Sequence, residues 1–469
     1  MTLLGAGRNE TLSELDRRHV IHGFSELGRI ARDGAKVMVA GDGVRVVDEF
    51  GKSYIEAASG MWCANFGFSD ADLAKAASDQ LAQLPYYHTL AGKAVAPSAL
   101  LAEKLAAIAP LEDAHVYFAL SGSEANDYIV KLIWFANNAR GLPQKKKIIT
   151  RKNGYHGVTI AATHLTGVEA NRTLFDMPMQ ERFVQVSDMQ WFTNAAPGET
   201  REAFADRLVR ELEEAILREG PDTIAAMLVE PVTAGGGVAL PPTDYYQRVA
   251  KILKAYDIVL IADEVVTGFG RTGRMFACET FGIAPDAMVI GKGLTGAYQP
   301  LGAVLLSGAL TNGIAKAADL AGWFGHGATY AGYPVGCAVG LRAIELIEQR
   351  ELLAHVRAMG DVLMAALKRL ERYPVVAEVR GVGLMAAVQF AADRETRRGF
   401  DEPGRFAARV QAEAEEAGVI VRKITSGDAI AFAPPLIIKA DEIEDAVRRF
   451  EIGLQRAIEV FGLSRQATA

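Results

Sequence analysis

The chain has 469 residues, 50% of them apolar and 23% charged, and its 50 lysines and arginines against 57 aspartates and glutamates give a formal net charge of −7. This profile is typical of a globular protein with a full core, and it excludes disordered, collagen-like and coiled-coil chains. An acidic balance without a basic block also argues against nucleic acid or an anionic membrane surface as the principal partner.

Signals for export or membrane insertion are missing from the sequence. No run of about 18 uncharged apolar residues occurs. The first residues, MTLLGAGRNETLSELDRR, lack the basic start, apolar stretch and small-residue cleavage site of a secretory signal. We therefore expect a cytoplasmic protein.

From the N-terminus, VMVAGDGVRVVDEFGKSYIEA predicts antiparallel strands joined by tight turns. Between about residues 112 and 310, short apolar runs then alternate with longer helical patterns. Such alternation is typical of an α/β fold with a mostly parallel sheet covered on both faces. The runs are VYFAL, KKIIT, TIAAMLVE, IVLIADE, AMVIGKG and LGAVLLS.

After Gly336 the sequence predicts a long helix, two strands, a further helix, the strand-like runs VIVRKI and AIAFAP, and a last helix ending near Val460. This order is typical of a smaller α+β domain, which the N-terminal strands should join. We predict an N-terminal segment over residues 1–80 that includes part of the small domain, a large cofactor-binding domain over 81–345 and the rest of the small domain over 346–469.

The three cysteines, Cys63, Cys278 and Cys337, are far apart and show no CxxC spacing. They cannot form a disulfide framework or a zinc cluster. We expect buried thiols and no metal site.

The most informative pair of residues is Asp263, which closes the run IVLIAD, and Lys292, 29 residues later in the run AMVIGKG. Strand ends in a parallel sheet open into the crevice where ligands bind, so both side chains could face one ligand. A desolvated lysine has a lowered pKa and becomes a nucleophile toward carbonyl groups. A structural ion pair or a solvated lysine is the alternative.

A second signal is SGSEAN, Ser121 to Asn126, between a strand and an amphipathic helix. Free backbone N–H groups, hydroxyl groups and the positive helix end favour a phosphate dianion there. An ordinary helix N-cap is the alternative. A lysine, a carboxylate and a phosphate site are together what pyridoxal 5′-phosphate requires.

The chain resembles the class III aminotransferases of pyridoxal-phosphate fold type I, and looks closest to their omega-amino acid or amine:pyruvate branch. Eight motifs occur in family order between about His19 and the last helix. The resemblance implies a large domain with a seven-stranded, mostly parallel sheet and a homodimer whose active sites are shared. The motifs are GMWCANFG, SGSEAN, YHG, EPV, LIADEVVTGFGRTG, GKG, HGATYAG, and VRK with PPL.

The resemblance also implies roles for residues. Lys292 matches the lysine that forms a Schiff base with the cofactor, and Asp263 matches the carboxylate that pairs with the pyridine nitrogen. Tyr155 and Val265 match the residues on the two faces of the ring. The other matched positions are the phosphate donors Gly122 and Ser123, the neighbouring subunit's donor Thr329, the cofactor-site residues Ser121, His156 and Glu230, and the substrate-site residues Trp62, Tyr155 and Arg422.

Departures from the family pattern bear on the substrate. Ornithine-type members carry a glutamate that pairs with the carboxylate-binding arginine, whereas Gly235 stands at that position. This favours pyruvate as the acceptor, with Arg422 as its receptor. A salt bridge from Arg422 to an internal acid is the alternative. In HGATYAGYP, Ala328, Ala331 and Tyr333 replace commoner residues, which puts the shape of the pocket mouth in doubt.

We therefore predict an aminotransferase that passes an amino group from an amine or omega-amino acid to a keto acid, through pyridoxamine phosphate in two half-reactions. Because a pyridoxal phosphate site does not fix which bond breaks, an aminomutase, racemase or decarboxylase is the alternative on the same fold. A non-catalytic binding protein is the alternative of another class.

Overall fold

The structure is a computed structural model that describes residues 10–425 and 427–463. Two short helices, α1 (Leu12–His19) and α2 (Leu27–Asp33), come first. An antiparallel sheet follows, made of β1 (Met38–Asp42), β2 (Arg45–Asp48) and β3 (Ser53–Glu56). The predicted N-terminal hairpins are therefore present.

A seven-stranded sheet forms the centre of the molecule, in the order β4-β10-β9-β8-β7-β5-β6. The strand β10 runs antiparallel to both of its neighbours and the other neighbouring pairs are parallel. The α/β fold with a mostly parallel sheet is confirmed. The strands are β4 (His115–Ala119), β5 (Lys147–Arg151), β6 (Phe183–Val186), β7 (Ile224–Val229), β8 (Val259–Asp263), β9 (Ala287–Ile290) and β10 (Gly302–Leu306).

Helices cover both faces of this sheet, and a separate apolar cluster lies on each face. Several begin with a recognisable signal: Asp70 and Thr200 accept hydrogen bonds from backbone N–H groups of the helices that they precede. The helices are α3 (Ser59–Trp62), α4 (Ala71–Gln83), α5 (Ala96–Ile108), α6 (Gly122–Ala139), α7 (Ile160–Leu165), α8 (Trp191–Asn194), α9 (Arg201–Glu219), α10 (Tyr245–Ala255), α11 (Ala277–Phe281), α12 (Gly308–Ala321) and α13 (Pro334–Gln349).

The C-terminal part has its own apolar core. The long helix predicted after Gly336 is two helices, because Glu351 adopts a left-handed φ of 49° between them. The sheet here has the order β11-β12-β15-β14. The elements are α14 (Leu352–Lys368), β11 (Val376–Val382), β12 (Met385–Phe390), α15 (Arg405–Glu416), β13 (Val419–Ile420), β14 (Arg422–Lys423), β15 (Ala429–Phe432) and α16 (Ala440–Val460).

The two ends of the chain meet in one sheet, since β13 pairs in parallel with β3. One side chain also ties distant parts together. Arg271 is fully buried and donates to the carbonyls of Leu384 and Pro434 and to the side chains of Ser59 and Asn65. The domain boundaries at residues 80 and 345 stay a prediction.

Within the described parts of the chain, no helix is both long enough and apolar enough to cross a membrane. The cytoplasmic location stays a prediction.

Candidate active site

Two cavities meet at the carboxyl ends of the central strands. The larger cavity has a volume of about 480 Å³ and lies between the start of α6 and the ends of β8 and β9. The smaller cavity, about 150 Å³, lies beside it. Tyr155, Glu230, Val266 and Lys292 line both cavities. A molecule bound in one can therefore touch a molecule bound in the other.

Lys292 follows the end of β9 rather than lying inside a strand, which corrects the sequence prediction. The strand ends at Ile290, and Lys292 begins a single 3₁₀ turn with a left-handed φ of 42°. Burial lowers the pKa of its ammonium group below the ordinary value, and the charge of Asp263 opposes this shift. The backbone turn thus presents to both cavities an amine that is easier to deprotonate.

Asp263 ends β8, and its buried carboxylate is surrounded by hydrogen-bond donors. Oδ2 accepts from Asn126 Nδ2 at 3.0 Å and lies 2.7 Å from His156 Nδ1, while Oδ1 accepts from the backbone N–H of Val265 at 3.1 Å. These contacts fix the orientation of the carboxylate in the wall of the larger cavity.

The start of α6 forms another wall of the larger cavity. Ser121 is the N-cap, and its Oγ accepts from the backbone N–H of Glu124 at 3.2 Å. Gly122 and Ser123 also line the cavity. A Cβ placed on Gly122 would come within 2.9 Å of the Val265 methyl groups. The close approach of Val265 thus requires glycine at the point where free backbone N–H groups face the cavity.

Glu230 holds two backbone segments, one at Tyr155, which lines both cavities, and one at Ala234, which lines the smaller cavity. Its carboxyl oxygens accept from the backbone N–H of Tyr155 at 3.0 Å and of Ala234 at 3.1 Å. Burial raises the pKa of Glu230 to about 7, and burial also raises the pKa of the Tyr155 hydroxyl. Glu230 therefore fixes the position of the Tyr155 backbone and can hold a proton near neutral pH.

The smaller cavity is lined by all three predicted substrate residues, Trp62, Tyr155 and Arg422. The Arg422 guanidinium lies 2.8 Å from the sulfur of Met61, and no carboxylate pairs with it among residues 10–425 and 427–463. Burial lowers its pKa, although the nearby Tyr155 hydroxyl opposes this. The alternative of an internal salt bridge is therefore not observed in the described structure.

Comparison of the whole chain with known protein families agrees with the geometry of the site. The family model for class III aminotransferases matches residues 30–454. The chain belongs to the class III aminotransferases.

Individual relatives agree with this assignment. The aminotransferase y4uB of Sinorhizobium fredii is 38% identical over 96% of this chain and 97% of its own length. The diaminobutyrate–2-oxoglutarate transaminase of Halomonas elongata is 37% identical over 96% and 97%. The structure of the omega transaminase of Pseudomonas jessenii in complex with PMP (pyridoxamine phosphate) is 43% identical, with a TM-score of 0.94, and the match covers 97% of this chain and 99% of that one.

As a class III aminotransferase, the protein uses pyridoxal 5′-phosphate. The residues around the larger cavity fit this cofactor. Asp263 supplies a carboxylate, the start of α6 supplies donors for a phosphate, and Lys292 supplies the amine. Asn126 Oδ1 is buried there and has no hydrogen-bond partner among the described residues. The chemistry of these groups matches the three parts of the cofactor.

Thr329 of this class III aminotransferase lies away from the two cavities. It is exposed in the loop between α12 and α13. Its carbonyl oxygen accepts from the Tyr86 hydroxyl at 3.0 Å, and the rings of Tyr86 and Tyr330 lie 5.1 Å apart. The structure therefore does not bring Thr329 together with the other predicted site residues within one chain.

Two residues of the aminotransferase site, Asn126 and Phe24, were not predicted from the sequence. Asn126 donates to Asp263 and to the backbone carbonyl of His156 at 2.8 Å. Helical spacing could have found it, because it follows Gly122 by four residues and so faces the same side of α6. Phe24 lines the smaller cavity, with its ring centroid 6.2 Å from that of Tyr155. No pattern in the sequence marks it.

The cysteines are free thiols. Cys278 and Cys337 are buried, whereas Cys63 is half-buried and lines the larger cavity. Burial raises the pKa of each thiol. Among the described residues no group of histidine, cysteine and acidic side chains could hold a metal ion.

Proposed function

We propose that this aminotransferase moves an amino group from an amine or omega-amino acid to a keto acid, with pyruvate as the acceptor, by a ping-pong mechanism. One observation carries the proposal: Lys292 and the unpaired Arg422 line the same small cavity. An amine reacting at Lys292 and a carboxylate bound by Arg422 would then belong to one small substrate. The likeness to omega transaminases supports amine donors.

The proposed cofactor contacts follow from the larger cavity. Asp263 would pair with the ring nitrogen, and Tyr155 and Val265 would pack against the two faces of the ring. Gly122 and Ser123 would donate to the phosphate, while Ser121, His156 and Glu230 would hold the surrounding groups in place. When bound, pyridoxal 5′-phosphate would supply an aldehyde that can take up the amino group, as pyridoxamine phosphate, and a ring that can delocalise carbanion charge.

Lys292 is the proposed proton carrier. Burial lowers the pKa of its ammonium group, so more of the side chain is present as the free base at neutral pH. The Nζ atom would then remove the proton from the substrate carbon that bears nitrogen and pass it, within the same half-reaction, to the former aldehyde carbon of the cofactor. The second half-reaction would run this proton transfer in reverse, toward the carbon of the acceptor. The Asp263 carboxylate is held in position by its contacts with Asn126, with His156 and with the backbone N–H of Val265.

Arg422 is the proposed receptor for the acceptor's carboxylate. A half-buried guanidinium that has no carboxylate partner among the described residues gains free energy when it binds an anion. Gly235, which lines the same cavity, places no acidic side chain at its position to compete for it. The cavity volume of about 150 Å³ suits an acceptor as small as pyruvate.

The proposed active enzyme is a homodimer with shared sites. Thr329 is exposed and outside the cavities of its own chain. In a dimer, Thr329 of the partner subunit would add a hydroxyl donor to the phosphate site.

Acceptor-free turnover tests the reaction class. Mixing the holoenzyme with an amine and no keto acid should yield one equivalent of carbonyl product per subunit and then stop, with the cofactor absorbance changed to that of pyridoxamine phosphate. Adding pyruvate should restart turnover. Continued product formation without an acceptor would instead identify a racemase, aminomutase or decarboxylase.

Borohydride reduction should attach the cofactor to the peptide that contains Lys292, and labelling of another peptide would contradict the site.

Arg422→Met tests the choice of acceptor, with the exposed Arg398→Met as the matched control. The two half-reactions can be measured separately in single-turnover mixing. Losing one charge-assisted pair should slow the pyruvate half-reaction about 10- to 100-fold, while the half-reaction with a carboxylate-free amine changes little. Equal losses in both half-reactions would remove the proposed role. Comparing pyruvate with 2-oxoglutarate, which the Halomonas elongata relative is named for, identifies the preferred acceptor.

A further inference from the structure

The N-terminal segment, residues 10–33, lies on the outside of the molecule, and neither of its helices has a buried residue. The first helix, α1, is nevertheless fixed to the body of the protein. The backbone N–H groups of Leu12 and Ser13 donate to the Glu49 carboxylate at 2.9 and 3.1 Å. The Ser13 hydroxyl donates to the carbonyl of Ala35 at 2.8 Å. These three hydrogen bonds hold the start of α1 in place although the helix is exposed.

The N-terminal loop, residues 20–26, joins α1 to α2 and is held by one pair of side chains. His22 Nε2 lies 2.7 Å from Asp16 Oδ2, and both side chains are half-buried. The carbonyl of the same Asp16 accepts from the backbone N–H of Val20 at 2.8 Å. Among the described residues, the His22–Asp16 pair is the one side-chain hydrogen bond from this loop to the rest of the chain.

The loop carries Phe24, which reaches the smaller cavity two residues after His22. The Phe24 ring meets the Tyr155 ring at an interplanar angle of 66°, yet 62% of its surface stays exposed. Its backbone has a left-handed φ of 52°, which is unfavourable for an aromatic residue. Packing alone therefore holds Phe24 weakly, and something else must keep the loop in this conformation.

We propose that the His22–Asp16 pair is a latch that holds Phe24 at the mouth of the smaller cavity, so that His22 and Asp16 are positioning residues for the donor substrate. The inference rests on the proposed function, because it assigns the smaller cavity to the substrate. Phe24 forms part of the apolar wall there together with Trp62 and Met61. Releasing the latch opens this wall and weakens binding of a bulky apolar donor, while the reacting groups at Lys292 stay in place.

Steady-state kinetics test the latch with His22→Ala, Asp16→Ala, the double variant and His22→Gln. His19→Ala is the matched control, since His19 is an exposed histidine on α1, the helix that carries Asp16. With an aromatic amine, His22→Ala and Asp16→Ala should each raise KM about 3- to 10-fold with kcat changed less than twofold, and the double variant should be no worse than either. His22→Gln should restore KM, because its amide N–H can donate to Asp16. A fall in kcat with KM unchanged, or a His19→Ala effect of equal size, would overturn the proposal.

A second measurement tests the latch without turnover. Chymotrypsin cleaves after phenylalanine, and cleavage needs local opening of the chain. Cleavage after Phe24, followed by mass spectrometry, should be at least threefold faster in His22→Ala than in the wild type or His19→Ala, and normal in His22→Gln. Equal cleavage in all four proteins would overturn the latch even if the protein proves not to use an amine donor. Faster cleavage together with no transamination by the wild type would instead contradict the proposed function alone.

Discussion

Asp263 and Glu264 are neighbours in the sequence, but their carboxylates face different surroundings. Asp263 faces the larger cavity, whereas Glu264 is fully buried and accepts from Thr267 Oγ at 2.5 Å and from the backbone N–H groups of Ala277 and Cys278 at the start of α11. The position of Asp263 could be predicted because strand ends in a parallel sheet open into a crevice. The role of Glu264 could not, since its partners lie on an element whose start has no strong sequence signal.

Glu56 should make the stability of the folded protein depend on pH, and this can be measured without assaying the active site. Burial raises the pKa of this carboxyl group to about 7 in the folded protein, against an ordinary value of 4.5. The folded state therefore keeps a proton that the unfolded state loses between these two pH values. Stability falls as the pH rises from about 4.5 to about 7, by at most about 3 kcal/mol, and stays lower above that range.

Replacing Glu56 by Gln should remove this loss of stability. The neutral amide cannot ionise. The melting temperature of Glu56→Gln minus that of the wild type should therefore be larger at pH 8 than at pH 5. Differential scanning fluorimetry of both proteins at the two pH values measures it. The exposed Glu103→Gln serves as the control. A difference that is the same at pH 5 and pH 8 would mean that Glu56 titrates normally.

At the scale of elements, hydrophobic runs predicted six of the seven central strands. The strand β6 is the one that they did not reveal, because Gln185 interrupts its short apolar run and an irregular segment precedes it. The turn at Lys292 was also not predicted. AMVIGKG looks like one continuous strand, whereas the backbone turns at Lys292, which has a left-handed φ of 42°. Local turns depend on packing with neighbouring elements, which a run of apolar residues does not encode.

Gly122→Ala tests how closely α6 must approach the loop after β8. The added Cβ would meet the Val265 methyl groups at 2.9 Å, so either Val265 or the start of the helix has to move. Both groups line the larger cavity. We expect the affinity of the apoenzyme for pyridoxal 5′-phosphate to fall at least about tenfold, which equals about 1.4 kcal/mol.

Equilibrium dialysis of the apoenzyme measures this affinity. Gly399→Ala is the matched control, because Gly399 is exposed and a Cβ there meets no atom within 4 Å. If Gly122→Ala binds the cofactor as well as Gly399→Ala does, the start of α6 does not need to approach the cofactor closely.

At the scale of the whole molecule, Thr329 is the predicted site residue that lies outside both cavities of its own chain. Its loop is held by Tyr86 and by the Thr89 hydroxyl, which donates to the Ala331 carbonyl at 2.9 Å. Several large apolar side chains are exposed around it, including Leu90, Trp323 and Tyr330. The sequence pattern could predict a phosphate donor here only through the family resemblance, because no spacing within the chain relates Thr329 to Lys292.

Complementation between two inactive variants tests whether the sites are shared. Lys292→Ala removes the amine of its own chain, and Thr329→Asp places a negative charge where the proposed phosphate contact would be. In a shared-site homodimer, each mixed dimer has one site with both defects and one site with neither. Random pairing of the two chains should therefore restore about a quarter of the wild-type activity.

Co-expressing the two chains with different affinity tags and purifying through both tags isolates the mixed dimers, whose activity should approach half that of the wild type. Each variant purified alone supplies the control and should be inactive. If Thr329 served the site of its own chain, every site in the mixed dimer would carry a defect, and the doubly purified protein would be as inactive as its parents. The outcome thus separates a site completed by a second subunit from one contained in a single chain, independently of which amine is the donor.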